Sequence, residues 1–301
     1  MEDFVTQSST DAAQLGQFNF GADYIREHFG NNVALATQQM THSVFRQNSE
    51  AHIDHLLRCL ALNGDESLLD LGCGNGFILR DVVSRLRHGG YAVAVDVSPA
   101  MLELAKRNVN VAWVPLTFQE GRAEDLSGFE EGTFRRVMAN YIFHYIEDPA
   151  LVLGEMARVL HPEGHAIVTI EARHSMPEMY DLHFETMKRV GFPSDFIERL
   201  PQGRRGVMVL DNAKEILSRT FTSVEEKPYV DALRFDKAEQ FMNFYGNGHR
   251  LLGVKAHAGD TISQTMIDSL YTAVEEAVAK QISNVGYFEI SKQASVFVCR
   301  K

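Results

Sequence analysis

Ser67-Leu68-Leu69-Asp70-Leu71-Gly72-Cys73-Gly74-Asn75-Gly76-Phe77 decides the fold of this chain. A short apolar run ends in an acid, passes through glycines at alternate positions and opens a helix. Glycine reaches φ values closed to other residues and lets a ligand approach the main chain. Leu79, Val82, Val83 and Leu86 follow at the three-and-four spacing of a buried helix face. The next apolar run, Tyr91-Ala92-Val93-Ala94-Val95, ends in a second acid, Asp96. The stretch therefore reads as a nucleoside-binding βαβ unit, with Asp96 placed for ribose hydroxyls.

A dinucleotide site wants G-x-G-x-x-G, with the helix N-terminus facing a pyrophosphate. Gly72, Gly74 and Gly76 give G-x-G-x-G instead, preceded by Asp70. An acid beside the loop suits a cationic ligand better than a pyrophosphate. The stretch resembles the first motif of the class I S-adenosylmethionine-dependent methyltransferases, of the type-11-like, small-molecule kind. Asp96 through Lys106, with Ser98 as N-cap, Pro99 at the first helical position and Met101-Leu102 after them, is similar to the segment that follows in that family. So are Asn140 through Pro149 and the turn Arg158-Val159-Leu160-His161-Pro162-Glu163-Gly164. Two positions depart from the usual pattern. Arg122 stands where an Asp is expected before Ala123, and Arg135 stands at the start of the fourth strand, where the solvent-exposed strand entrance is expected.

The resemblance implies an α/β fold: a Rossmann-like, seven-stranded, mostly parallel sheet with an antiparallel last strand. It implies S-adenosyl-L-methionine as cofactor. Asp70, Gly72, Cys73 and Gly74 would pass its methionine part, and Asp96, Val97 and Met101 its ribose. Ala123 and Glu124 would lie at the adenine, and Asn140 and Tyr141 at the amino-acid end. Cys73 reads as packing rather than as a nucleophile.

The remaining chain divides into residues 1–62, a helical N-terminal lid, and residues 63–301, the core with a helical cap insertion around residues 236–285. Tyr24 is expected to cover the cofactor, a π-face being attractive to a sulfonium. Phe45, Ile53, Leu56, Leu57 and Leu60 are expected to pack on the sheet. Residues 175–206 read as a mixed segment with three prolines, Pro177, Pro193 and Pro201. Long insertions in compact domains tend to be functional, and this one is expected to cap the C-terminal strand ends, where open α/β sheets bind ligands.

His144, after the fourth strand, is the candidate general base, with Tyr145 and Glu171 as substrate-pocket walls. Glu171, His174, His183 and Glu185 match no metal-ligand spacing, so no metal is expected. The chain has 301 residues and a formal net charge of -11, which argues against nucleic acid and anionic membrane surfaces. Cys59, Cys73 and Cys299 form no paired motif. No leader pattern or apolar run of about 20 residues is visible, so a cytoplasmic protein is expected. The expected partner is a small-molecule substrate, and the helix-rich insertion can equally serve a homodimer. Two alternatives stay open: methylation of a carboxylate or carrier-bound acyl group, and a non-catalytic cofactor-binding subunit.

Overall fold

The computed structural model describes residues 32–200, 206–247, 254 and 262–301. Tyr24 lies outside the described residues, as do Arg204, Arg205 and Arg250. In chain order the elements are α1 (Asn32–Val44), α2 (His52–Leu60), β1 (Ser67–Leu71), α3 (Phe77–Val83), β2 (Tyr91–Asp96), α4 (Pro99–Asn108) and β3 (Leu116–Glu120). Then come β4 (Phe134–Asn140), α5 (Pro149–Val159), β5 (Leu160–Glu171), α6 (Pro177–Arg189), α7 (Ser194–Arg199) and α8 (Leu210–Ser218). The chain closes with β6 (Ser223–Phe235), α9 (Ala238–Asn247), α10 (Gln264–Val285) and β7 (Phe288–Arg300).

The strands form a seven-stranded sheet in the order β3-β2-β1-β4-β5-β7-β6. β1 through β5 pair in parallel, and β7 runs antiparallel between β5 and β6. This is the Rossmann-like sheet expected from the glycine loop and its flanking runs. Parallel strands must be covered on both faces, which is why β1 and β2 are apolar almost throughout. Leu69, Leu71, Val93, Val95, Val137 and Val168 fill one side with α5 and α8. Leu68, Ala92, Ala94, Met138, Ile167, Val296 and Val298 fill the other, against Leu56, Leu60, Leu79, Val82 and Val83 of α2 and α3.

A third apolar cluster lies beyond the strand ends. Met179, Tyr180, Phe184 and Met187 of α6 pack with Phe241, Phe244 and Tyr245 of α9 and with Ile267, Leu270, Val274 and Val278 of α10. Leu233 and Phe235 of β6 and Phe288 and Ile290 of β7 supply its floor. The segment after β5, read as mixed, thus contributes two helices to the same cluster as the insertion. Its prolines mark helix starts: Pro177 is the first residue of α6, and Pro193 immediately precedes α7. Phe45 departs from expectation. Its ring packs on Phe235 at 4.9 Å, in this third cluster rather than on the sheet face that receives Leu56 and Leu60.

The reason is a tether. After α1 the chain lies along β6: Gln47 N donates to Ala232 O (2.9 Å) and Arg234 N to Phe45 O (3.0 Å). Asp231 accepts from Gln47 N (3.0 Å) and Asn48 N (2.8 Å) through one carboxylate oxygen. At the start of β4, exposed Arg135 pairs with Glu163 at 3.5 Å, as its place at the strand entrance implied. Its neighbour Arg136 is buried instead. Arg136 Nε donates to Leu60 O (2.8 Å) and Nη2 to Ala61 O (3.0 Å), capping the C-terminus of α2. Glu66, 1% exposed, stands 3.5 Å from the same guanidinium and accepts from Asn63 N and Gly64 N.

Removing one member of a buried, hydrogen-bonded ion pair costs about 3–5 kcal/mol, because the other charge is left uncompensated. Arg136→Met is expected to lower the unfolding free energy by that amount in urea denaturation, while Arg135→Met changes it by less than about 0.5 kcal/mol.

Candidate active site

By strand alternation, Asp70 of β1, Asp96 of β2, Asn140 of β4, Thr169 and Glu171 of β5 and Lys292 of β7 point to one face of the sheet. Apart from Lys292, which lies on the extension of β7 past β5, they stand at or near the C-terminal ends of the parallel strands. The face carries apolar residues along its middle and polar ones along this rim. Asp70, Asp96, Glu171 and Lys292 are all buried, with no more than 8% of their surface exposed.

The glycine loop bends across this rim. Gly72 has φ 68°, and a Cβ there would run into Ile142 Cγ2. Gly74 has φ 54°, and a Cβ there would meet nothing within 4 Å. One glycine is required by packing and the other leaves room above the main chain. Asp96 fixes the loop, its Oδ2 accepting from Gly74 N at 2.8 Å and its Oδ1 from Ser98 N at 2.9 Å. Ser98 caps α4 through Met101 N, and Met101 is buried in that first turn. Val97 is half-buried between them.

Burial raises both acids. Asp70 is pushed up to about 8 by burial and by the charge of Asp96. Asp96 is raised by burial against the lowering effect of its amide donors. Burial also pushes the Cys73 thiol well above its ordinary value, and this sulfur packs over Gly74 O at 3.7 Å rather than acting as a thiolate. Two buried carboxyls side by side make a site that a cation relieves and a pyrophosphate aggravates.

Asn140 carries a second signal. Its Oδ1 accepts from Thr169 Oγ1 at 2.5 Å, and its buried Nδ2 has no hydrogen-bond partner among the described residues. A buried amide with one end unmet calls for a polar ligand atom. Ala123 is half-buried against the core, and Glu124 pairs with Arg122 at 2.8 Å. The arginine that replaces the expected acid thus occupies the carboxylate proposed to help with adenine. His144 and Tyr145 lie in a 3-10 turn, Phe143–Tyr145, with ring centroids 3.8 Å apart. Gly206 packs on this turn, where a Cβ would come within 2.8 Å of His144 Cα.

Of the histidines and acids weighed for a metal, His183 is buried and bonds Tyr245 Oη at 2.6 Å, while His174 is exposed. Among the described residues no three His, Cys, Asp or Glu side chains converge on a metal-sized point, and no helix is long and apolar enough to cross a membrane.

Three side chains of this region escaped the sequence reading. Asn75 is locked to Gln39 of α1 by reciprocal amide bonds of 2.9 and 3.1 Å. Its place inside the loop was visible, its partner was not. His52 of α2 meets Tyr141 Oη at 2.9 Å. Lys292 falls in phase with Ile290, Ala294, Val296 and Val298 on the buried face of β7. The strand that carries it, β7, begins at Phe288.

Residues 69–168 match a family model described as a methyltransferase domain. A ubiquinone biosynthesis O-methyltransferase from Alkalilimnicola ehrlichii is 27% identical over 42% of this chain and 50% of its own length. A demethylmenaquinone methyltransferase from Lactococcus lactis is 36% identical over 40% of this chain and 47% of its own. The matches span about half the length of these curated relatives. Among solved structures, a methyltransferase candidate from Bacillus halodurans superposes with a TM-score of 0.53 at 15% identity, covering 84% of this chain and 99% of that one. The YcgJ protein of Bacillus subtilis superposes at 0.51 with 16% identity, over 83% and 97%. The fold is that of the class I methyltransferases. Residues 69–168 are the part of the chain that matches a methyltransferase domain.

Asp70 makes the ligand-free protein sensitive to base. Its carboxyl titrates near 4 unfolded and at about 8 folded, so the folded chain binds more protons between those values and loses stability as pH rises through them. Asp70→Asn is expected to raise the melting temperature by about 2–4 °C or more at pH 8 and to have little effect at pH 4, measured by calorimetry.

Proposed function

We propose that the chain is a small-molecule methyltransferase that takes its methyl group from S-adenosyl-L-methionine. The observation that carries the reading is the pair of buried carboxyls, Asp70 and Asp96, on either side of a glycine loop with open space above Gly74. The cofactor's amino-acid end is cationic at its amine and sulfonium, which offsets the charge those groups cannot carry alone. Asp96 would hold the ribose hydroxyls, since a carboxylate oxygen that accepts one backbone amide keeps a lone pair for another donor. The unmet Asn140 Nδ2 would take the cofactor's carboxylate, or its amine with the amide turned over. Val97, Met101, Ala123 and Glu124 would border the nucleoside, with Arg122 closing over Glu124. Tyr24 is retained as a cover residue.

When bound, the cofactor supplies an activated methyl group. What remains for the protein is alignment and exclusion of water, and orientation of two reactants is worth roughly 7–11 kcal/mol. Tyr145, Glu171 and His144 would wall the acceptor, and the cluster of α6, α9 and α10 would roof it as the cap. The names of two curated relatives, a ubiquinone biosynthesis O-methyltransferase and a demethylmenaquinone methyltransferase, support a small acceptor.

Isothermal titration with S-adenosylmethionine is expected to give micromolar affinity that Asp96→Ala abolishes, and NADH is expected not to bind. Gly74→Ala is expected to weaken the cofactor at least about tenfold while costing only about 1–2 kcal/mol of stability, the price of a left-handed non-glycine. Tight NADH binding would overturn the reading.

A further inference from the structure

Tyr141, the residue after Asn140, has a left-handed backbone with φ 59°. For a bulky side chain this conformation is costly, and it persists where surrounding contacts overdetermine it. Met176, at the exit of the neighbouring strand β5, is the other left-handed non-glycine on this side of the sheet, with φ 64°. The Tyr141 hydroxyl meets His52 Nε2 at 2.9 Å. Lys292 Nζ lies 5.6 Å from the centroid of the same phenol ring. Tyr229 of β6 packs edge-on to His52 at 5.0 Å, and its own hydroxyl stands 3.5 Å from Asp231. His52 and Tyr141 are both half-buried, unlike the fully covered Tyr229. They form a polar cluster beside Asn140 that cofactor binding alone does not employ.

The charge state of the imidazole follows from the groups around it. Burial, then Lys292 on β7, then His55 on the same helix hold the imidazole neutral, pushed down to about 3. His55 is itself engaged by Glu50 at 3.3 Å, and Asp231 faces the cluster only across Tyr229. A neutral imidazole has one bare nitrogen, and a phenol that donates to it can still accept from a third group.

Granting the methyl-transfer reading, we propose that Tyr141 receives the proton of a hydroxyl acceptor as that oxygen is methylated, and passes its own proton to His52 Nε2. In this step the acceptor's O–H bond breaks and an O–CH3 bond forms. The methyl–sulfur bond breaks, and its electron pair stays on sulfur. One proton moves to the Tyr141 oxygen and another from it to the imidazole. The net charge of the site is unchanged, since the sulfonium's positive charge disappears as the imidazolium's arises. Lys292 beside the ring favours the anionic oxygen in transit. Tyr141 is then a catalytic residue and His52 a positioning residue that acts through it.

The first test needs no acceptor. In protein saturated with S-adenosylmethionine, nitrogen NMR of the histidine rings, assigned with His52→Gln, is expected to show His52 neutral at pH 7 with Nδ1 protonated and Nε2 bare. A proton on Nε2, as imidazolium or as the other tautomer, overturns the proposal, because Tyr141 could not then hand a proton over. The second test uses catechol and hydroquinone as acceptors. His52→Gln keeps a neutral hydrogen-bond acceptor for Tyr141 and takes no proton. It is expected to leave cofactor affinity within about threefold and to lower kcat about 10²-fold with KM little changed, and Tyr141→Phe is expected to lower kcat to the same extent. A His52→Gln enzyme with wild-type kcat, beside a His144→Gln enzyme that has lost it, would assign the base to His144 and overturn the proposal. Absence of S-adenosylmethionine binding to the wild type removes the methyl-transfer reading itself, whereas a wrong tautomer leaves that reading standing.

Discussion

The hydrogen bond from Gly74 N to Asp96 Oδ2 is the constraint on which the site is built. It ties the glycine loop after β1 to the end of β2, and it does so with a carboxylate that burial makes reluctant to ionise. Asp70 sits beside it under the same penalty, raised further by its neighbour. The folded chain keeps two acids where neither is comfortable. Such an arrangement weakens the empty protein and is offset only when positive charge arrives. Binding and stability are therefore coupled at this corner of the sheet.

The first half of the chain was readable because its signals are local. The glycines, the acids at strand ends, Ser98 as N-cap and Pro99 at N1 each act within a few residues, and the structure returns them as read. Elements between strands were readable where their apolar period was clean, as along α10. The segment after β5 was not. Its helices are short or proline-led, and the partner that makes them helical is a cluster shared with α9 and α10, residues far away in sequence. Local pattern gives only half the information when most of a helix's stability comes from such packing.

The site shows the same division. Asp70, Asp96 and Asn140 stand where motif spacing put them. His52 and Lys292 could not be placed by spacing, because each is brought to the rim by tertiary contacts: α2 lies over β5, β6 and β7, and Lys292 lies on an extension of β7 past β5. The charge of Glu124 is engaged by Arg122, one of the two residues at which this chain departs from the usual pattern.

The position of β7 bears on how the molecule is made. β6 reaches the sheet only through β7, and β7 is the last element of the sequence. The stretch that carries α1 and α2 is moored in turn to β6, by Asp231 to Gln47 and Asn48 and by Lys227 O to His55. A chain emerging from the ribosome N-terminus first therefore holds β1 to β5 and the glycine loop well before it can seat α1 and α2. These helices wait for β7, made long after them, and until it arrives the rim of Asp70, Asp96 and Asn140 lacks its neighbours from α2 and β7.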